Sequence, residues 1–142
     1  IFEFGEERHS RRIAREIVDR RRTKPIRTAS ELAELLRRIV PRGRHERIDP
    51  ATRTFQALRI AVNEELQQLV KALEVFPDCL RPGGRAAIIS FHSLEDRLVK
   101  QAFRSDDRWE PLTKKPVWPT DAEQEANPRS RSARLRVAAH VG

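Results

Sequence analysis

The sequence has 142 residues, a length typical of one domain or two small lobes, which excludes a large multidomain enzyme. Its 29 lysines and arginines outnumber 21 acidic residues, and the resulting net charge of +8 favours a polyanionic partner such as nucleic acid. The single cysteine excludes an intrachain disulfide, and no apolar run approaches the ~18 residues that a membrane span needs.

The ends of the sequence also carry expectations. No signal peptide is visible, so we expect a cytoplasmic protein that does not bind membranes. The sequence starts at Ile1 and contains no methionine, which leads us to expect a fragment of a longer protein.

Two helices are predicted near the amino terminus. Glu3–Arg22 shows apolar residues on one side and arginines elsewhere, which indicates a basic amphipathic helix. Thr28 and Glu31 have the spacing of a capping box, and a second helix is predicted from there to about Val40. Arg42–Arg47 is predicted to be a basic loop.

A third, longer helix is predicted from Asp49, its N-cap, through Pro50 to about Phe76. Its predicted buried stripe consists of Phe55, Leu58, Val62, Leu66, Leu69 and Leu73. A polar stripe follows beside it, made of Gln56, Arg59, Asn63 and Gln67. That polar stripe either faces solvent or contacts another helix.

The pattern then changes to strand. Arg85–Phe91 is a short apolar run with little alternation, which predicts a strand buried on both faces, as in a parallel sheet. Ser93 and Asp96 indicate the start of another helix, so Gly83–Arg104 is predicted to be one α/β unit. Cys79, just before this unit, is expected to be a small buried residue.

The carboxyl-terminal part contains less regular patterns. Ser105–Ala126 contains three prolines and no sustained period, which predicts an exposed connection. Ala133–His140 begins with alternating apolar and arginine residues, which is typical of an antiparallel edge strand with one wet face.

Familiar nucleotide and metal motifs are missing from the sequence. It contains no GxGxxG, no GxxxxGK[ST], no HExxH and no paired metal-ligand spacing, and its four histidines are far apart, so no metal site is predicted. The candidate site is Ser90, Phe91, His92 and Ser93, at the carboxyl end of the buried strand and the start of a helix. The alternative for His92 is a capping role without chemistry.

Four blocks of the sequence resemble signatures of one bacterial family. They are Phe4–Arg8 with Arg12–Arg15, Pro50–Ile60 with Val62–Leu66, Gly83–Arg85 with Ile88–Lys100, and Asn127–Arg136. Together these blocks closely resemble the ribosomal RNA small subunit methyltransferase H (MraW) family, whose third signature is GGRLxxISFHSLEDRxVK. The blocks occur in the family's order and frame nearly the whole chain.

The resemblance implies an α/β fold and an activity. It implies the carboxyl-terminal part of a Rossmann-like, S-adenosylmethionine-dependent methyltransferase domain, together with part of a helical insert thought to help hold RNA. Residues 1–50 would be the later part of that insert, and residues 51–142 the carboxyl-terminal half of the methyltransferase domain. The implied activity is N4-methylation of a cytidine in the decoding region of 16S rRNA.

The resemblance also implies the partners and the cofactor. The partners would be 16S rRNA and the small ribosomal subunit; the oligomeric state is left open, with a homodimer as one alternative. The cofactor would be S-adenosylmethionine, and its binding residues are expected upstream of Ile1, so none is assigned in this chain and the fragment alone is expected to be inactive.

Within this chain, candidate residues are assigned from the resemblance and from side-chain chemistry. Ser90, His92 and Ser93 are expected to border the base pocket at the catalytic centre. The candidates for contacts with RNA are Arg53, Gln56, Arg59, Asn63, Arg129 and Arg131, because guanidinium and amide groups bind phosphates and base edges. The competing interpretation is that these side chains hold the insert against the catalytic domain.

Two other classes of function compete with a methyltransferase. A noncatalytic basic RNA-binding module would bind RNA without any cofactor. A helix-turn-helix DNA-binding protein is disfavoured, because Pro25 interrupts the link between the first two helices and the second helix carries Glu31 and Glu34 where it should meet DNA.

Overall fold

The computed structural model describes residues 1–41 and 48–142, so the predicted loop Arg42–Arg47 lies outside the described residues. The chain divides into two compact units, Ile1–Glu64 and Glu65–Gly142, which are described separately. Among the described residues, no helix combines the length and the apolar character needed to cross a membrane.

The first unit is entirely helical in the part that the structure describes. Its helices are α1 (Phe2–Gly5), α2 (Ser10–Thr23), α3 (Ala29–Ile39) and α4 (Thr52–Asn63). Its core consists of Ile13, Ala33, Leu35, Leu36, Ile39, Val40 and Ala51. Leu36 is completely buried, and α3 buries the apolar side that its periodicity predicts. On α2 the prediction is confirmed in part, since Ile13 is buried and Ile17 and Val18 are half-buried, whereas Ala14 is exposed.

The predicted single helix over Glu3–Arg22 is wrong, because the chain turns between α1 and α2. Glu6 adopts a left-handed conformation with φ of 49° and ends α1. The buried Glu7 carboxylate then accepts a hydrogen bond of 2.7 Å from the amide of His9, just before α2 begins. Periodicity alone did not reveal this interruption, since the apolar positions of α2 continue the same pattern.

The second predicted helix is confirmed as α3, and its start has the predicted chemistry. The Thr28 hydroxyl accepts a hydrogen bond from the amide of Glu31, and the Glu31 carboxylate accepts bonds from the amides of Arg27 and Thr28. Both halves of the capping box are therefore present.

The long third helix is wrong in its continuity, and its predicted buried stripe is only partly confirmed. Leu73 is buried, and Phe55 and Leu69 are partly buried against the two cores. The predicted helix is broken at Glu64, which is left-handed with φ of 52°, and helix α5 (Glu65–Val75) belongs to the second unit. Its start also differs: Ala51 is the N-cap of α4, while Asp49 accepts a hydrogen bond from the Ala51 amide.

The buried side of α4 is made of small and medium side chains rather than the predicted stripe. Thr54, Ala57 and Ile60 are buried, whereas Leu58 and Val62 are exposed. The reason is the close approach of α1, whose Gly5 lies against the carbonyl oxygen of Arg53 and the side chain of Ala57. A large residue facing α1 would not fit there.

The second unit combines helices with a small sheet. Its elements are α5, β1 (Arg85–Ser90), α6 (Ser93–Ser105), β2 (Trp109–Pro111), α7 (Asp121–Ala126) and β3 (Arg134–His140), with 3₁₀ turns at Pro77–Cys79 and Pro128–Ser132. The strand order is β1-β3-β2, and both pairings are antiparallel. The predicted α/β unit of turn, strand and helix is confirmed.

The predictions for the two longer strands need correction. β1 is paired antiparallel with β3 rather than lying in a parallel sheet, and its burial alternates, with Ile89 exposed. β3 lies in the middle of the described sheet, not at its edge. Its expected wet face is also wrong at Arg136, which is buried because Asp96 of α6 pairs with it.

The connection after α6 is more ordered than predicted. Trp109 is buried on β2, with its ring centroid 5.3 Å from that of Phe103. Trp118 is exposed, and the guanidinium of Arg134 lies 4.9 Å from its ring centroid. Cys79, expected to be buried, is exposed.

Candidate nucleic-acid site

The junction between β1 and α6 carries the predicted pocket residues. Ser90 ends β1, His92 is the N-cap of α6, and Ser93 is its first residue. The helix was expected to be capped by Ser93, but the N-cap is His92, one residue earlier in the sequence. Its Nδ1 atom accepts a hydrogen bond of 3.4 Å from the amide of Glu95.

Glu95 completes this cap from the other direction. One of its carboxylate oxygens accepts hydrogen bonds from the amides of Phe91, at 2.9 Å, and His92, at 3.3 Å. The other lies 3.3 Å from Nε2 of His92. Burial acts to raise the pKa of Glu95, but the hydrogen bonds from His92 and Phe91 outweigh it and hold that pKa below its ordinary value.

Several polar atoms at this end of the sheet are buried without a hydrogen-bond partner among the described residues. They include Oγ of Ser90 and Nε of Arg134, while Nε2 of His92 has only the 3.3 Å ion-pair contact with Glu95. Ser90 and Arg134 are directly opposite each other on β1 and β3. Because a buried polar atom without a partner costs about 1–3 kcal/mol, such a group is a reason to look for a ligand.

Sequence reasoning missed two carboxylates at this place. Ligand atoms of Glu65, His92 and Glu95 all lie within 4.8 Å of one another. Glu65 escaped notice because the predicted long helix has it in its interior, whereas it starts α5 directly after the left-handed Glu64. A sequence signal existed only for Glu95, which is spaced as the third residue of a capping box after His92.

Asp96, the neighbour of Glu95, has a different role. Its two carboxylate oxygens accept hydrogen bonds from Nε and Nη2 of Arg136, at 2.7 Å and 3.1 Å. Both side chains are largely buried. This bidentate ion pair ties the start of α6 to the middle of the sheet and so fixes where the His92 cap lies.

The predicted RNA-contact residues of the first unit all lie on α4. Arg53, Arg59 and Asn63 are exposed. Gln56 is half-buried, and its side-chain amide donates a hydrogen bond of 3.1 Å to the carbonyl oxygen of Phe4. Gln56 therefore contacts another helix, which is one of the two alternatives that the sequence left open.

The two predicted phosphate-contact arginines of the second unit, Arg129 and Arg131, lie on the 3₁₀ turn Pro128–Ser132 and are exposed. Asn127 caps this turn by accepting a hydrogen bond from the amide of Arg129. Between the two arginines, Ser130 is buried. The turn therefore presents alternate residues to solvent, with two guanidinium groups on the accessible side.

A search against known families matches this chain to the MraW methylase family over residues 1–141. The chain belongs to the MraW methylase family. Among curated members, "Ribosomal RNA small subunit methyltransferase H" of Rhodopirellula baltica is 63% identical over 99% of the chain and 44% of the relative. The protein of the same name from Synechococcus elongatus is 58% identical over 99% and 47%, respectively.

The Sorangium cellulosum protein of that name is 55% identical over the whole chain and 45% of its own length. The chain thus spans less than half the length of these MraW relatives. The resemblance drawn from the four sequence blocks is confirmed at the level of the family.

The backbone amides at the β1–α6 junction take part in its own capping contacts. The amides of Phe91, His92 and Glu95 are bound to the Glu95 carboxylate and the His92 ring.

Proposed function

We propose that this chain is the carboxyl-terminal half of an S-adenosylmethionine-dependent methyltransferase that modifies the exocyclic N4 of a cytidine in the decoding region of 16S rRNA. Membership of the MraW family and the names of its relatives support the reaction class and the substrate. The single structural observation that carries the proposal is the buried Ser90 hydroxyl, which has no hydrogen-bond partner among the described residues and lies two residues before His92.

The reaction requires a base that has left its helix. Methylation of an exocyclic amine is a direct displacement, so the enzyme must extrude the cytosine, orient its amine and accept one proton. When bound, S-adenosylmethionine would supply the methyl group. We assign to Ser90, His92 and Ser93 the border of the base pocket, where hydroxyl and imidazole groups can hold the polar edge of the base.

The proposed contacts with the RNA backbone lie on exposed arginines. Arg53 and Arg59 on α4, and Arg129 and Arg131 on the 3₁₀ turn, present charge to solvent. Asn63 adds an exposed amide at the end of α4. A net charge of +8 supports binding of a polyanion. We place the protein in the cytoplasm, where the small ribosomal subunit is assembled.

The proposed domain arrangement assigns residues 1–50 to a helical insert and residues 51–142 to a Rossmann-like domain. Ala87 and Ile89, on one face of β1, are apolar and exposed. This exposed face is consistent with a larger sheet layer that would cover it in the complete protein. The division of the chain into compact units instead falls between Glu64 and Glu65, and Glu64 is left-handed. The domain boundary at residue 50 therefore remains a prediction about the complete protein.

Binding to RNA and binding of cofactor can be tested separately on the complete protein. Replacing Arg129 and Arg131 with glutamine should weaken binding to 16S rRNA and reduce the slope of log K against log salt by about 2, because each arginine would neutralise about one phosphate. Arg104→Gln, which removes an exposed positive charge from the last turn of α6, is the matched control.

Calorimetric titration with S-adenosylmethionine separates the enzyme from the noncatalytic RNA-binding module. The proposal predicts that the complete protein binds the cofactor and that the 142-residue chain alone does not. If the complete protein binds 16S rRNA but shows no heat with the cofactor, the module hypothesis replaces the enzyme.

A further inference from the structure

The cluster of Glu65, His92 and Glu95 has the donors of a metal site. It offers two carboxylate oxygens and one imidazole nitrogen, all within 4.8 Å of one another. Nitrogen and oxygen donors in this ratio suit Zn²⁺ and similar borderline divalent ions, whereas Mg²⁺ prefers oxygen ligands alone. We propose that these three residues bind one divalent transition-metal ion, with Zn²⁺ as the preferred occupant.

The His92 ring is the strongest support for this proposal. Its side chain is only 9% exposed, and its Nε2 atom is buried. Among the described residues Nε2 is paired with an oxygen of Glu95 at 3.3 Å, an ion-pair distance that lacks hydrogen-bond geometry. A metal ion bound by both atoms would replace this long contact with two ligand bonds.

The surroundings of the cluster already orient one of the three ligands, the Glu95 carboxylate. The amides of Phe91 and His92 bind one oxygen of Glu95 and leave the other directed at the His92 ring. In known metal sites, hydrogen bonds of this kind orient the side chains that bind the metal ion. Metal binding at Nε2 would move the ring proton to Nδ1, at the cost of one long hydrogen bond, the 3.4 Å bond from the amide of Glu95.

The three ligand atoms would have to move only slightly closer together to bind one ion. In a tetrahedral zinc site with bonds of about 2.0–2.2 Å, donor atoms lie about 3.3 Å apart. The Glu95–His92 pair already has that separation. Glu65 is the first residue of α5, and its carboxylate lies within 4.8 Å of the ligand atoms of His92 and Glu95. Such an ion would connect the start of α5 to the start of α6.

The test is a titration of the 142-residue chain with Zn²⁺ in a non-chelating buffer, followed by calorimetry and by metal analysis after dialysis. Because the exposed thiol of Cys79 could bind zinc by itself, every protein carries Cys79→Ser. Glu65→Gln, His92→Asn and Glu95→Gln are the ligand variants. Asparagine can still cap α6, and glutamine can still complete the capping box, so these variants should fold.

We expect one Zn²⁺ per chain, a higher melting temperature with Zn²⁺, and at least about tenfold weaker binding in each ligand variant. The control His9→Asn removes an exposed histidine and should bind Zn²⁺ like the parent. Zinc binding that is unchanged in the ligand variants, or the absence of a bound ion in the parent, would overturn the proposal. Equal affinity for Mg²⁺ that is insensitive to His92→Asn would also overturn it.

This inference shares the His92 ring with the proposed base pocket, but its titration involves neither RNA nor S-adenosylmethionine. If the parent binds no zinc but the complete protein transfers methyl groups, only the metal-site proposal fails. Intact zinc binding without methyl transfer would remove only the enzyme assignment.

Discussion

At the scale of single residues, the ion pair of Asp96 and Arg136 holds the candidate site together. Asp96 follows Glu95 on α6, and its partner is a buried arginine in the middle strand of the sheet. Removing one partner of a buried pair leaves the other charge desolvated and unpaired. The position of the His92 cap therefore depends on a contact with no direct role in chemistry.

We predict that Asp96→Asn lowers the free energy of unfolding by about 3–5 kcal/mol, because the guanidinium of Arg136 stays buried without its counter-charge. Urea unfolding at neutral pH measures this loss. Asp78→Asn is the control, since Asp78 pairs with Arg108 on the surface and its side chain is 71% exposed. Equal effects of the two substitutions would show that Asp96 is not the structural anchor.

Gly5 is the second residue with a sharp steric requirement. A Cβ atom there would overlap the carbonyl oxygen of Arg53 and lie 3.2 Å from the Cβ of Ala57. We predict that Gly5→Ala destabilises the protein by about 1–3 kcal/mol through overpacking of α1 on α4. Gly83→Ala is the comparison: its Cβ would meet open space, so only its positive φ of 78° opposes the change.

The two glycine variants can be compared by denaturant unfolding monitored by circular dichroism at 222 nm. A Gly5→Ala protein as stable as the parent would mean that α1 does not pack closely on α4.

At the scale of elements, helix α3 should make stability depend on pH. The Glu31 carboxylate accepts hydrogen bonds from the amides of Arg27 and Thr28. These bonds, mainly the one from Arg27, lower the pKa of Glu31 below the ordinary value of 4.5. A lowered pKa contributes stability above pH 4.5, and that stability is lost as the pH falls through the folded-state pKa. Acid should therefore loosen the start of α3.

Glu31→Gln tests this prediction, because glutamine can keep the capping box but does not titrate. The variant should show a shallower loss of stability below about pH 4.5, measured by thermal unfolding across pH values. Glu34→Gln removes an exposed carboxylate from the same helix and serves as the control. An unchanged slope in Glu31→Gln would contradict the assigned role of the cap.

The elements also show how far local sequence patterns extend. The capping box of α3 and the α/β unit from Gly83 to Arg104 were predictable, since caps and turns depend on residues close in sequence. The breaks at Glu6 and Glu64 were not, because neither is a glycine and both adopt a conformation that non-glycine residues rarely take. The antiparallel partner of β1 lies more than 40 residues later, beyond any local pattern.

The same distinction applies to the candidate site. Ser90, His92 and Ser93 were predictable because they are contiguous at the end of a strand. Glu65 was not, because a fold that brings the starts of α5 and α6 together is needed to place it beside His92. The burial of Arg136 was equally inaccessible, since its counter-charge is 40 residues away in sequence.

At the scale of the whole molecule, the chain covers less than half of its MraW relatives. The exposed apolar side chains Ile89 and Phe91 lie on and beside β1, at the end of the strand that carries Ser90. A further layer over this face in the complete protein would bury them and would enclose the proposed base pocket. Activity is therefore expected of the complete protein and not of this chain alone.

The most direct test of the proposed activity is methyl transfer by the complete protein to small ribosomal subunits that lack the modification. The subunits are incubated with S-adenosylmethionine carrying a labelled methyl group, and the 16S rRNA is digested to nucleosides and mapped by mass spectrometry. We predict label in N4-methylcytidine at one position of the decoding region. Label on another atom or base, or no label although the protein binds both the cofactor and the RNA, would contradict the proposed activity.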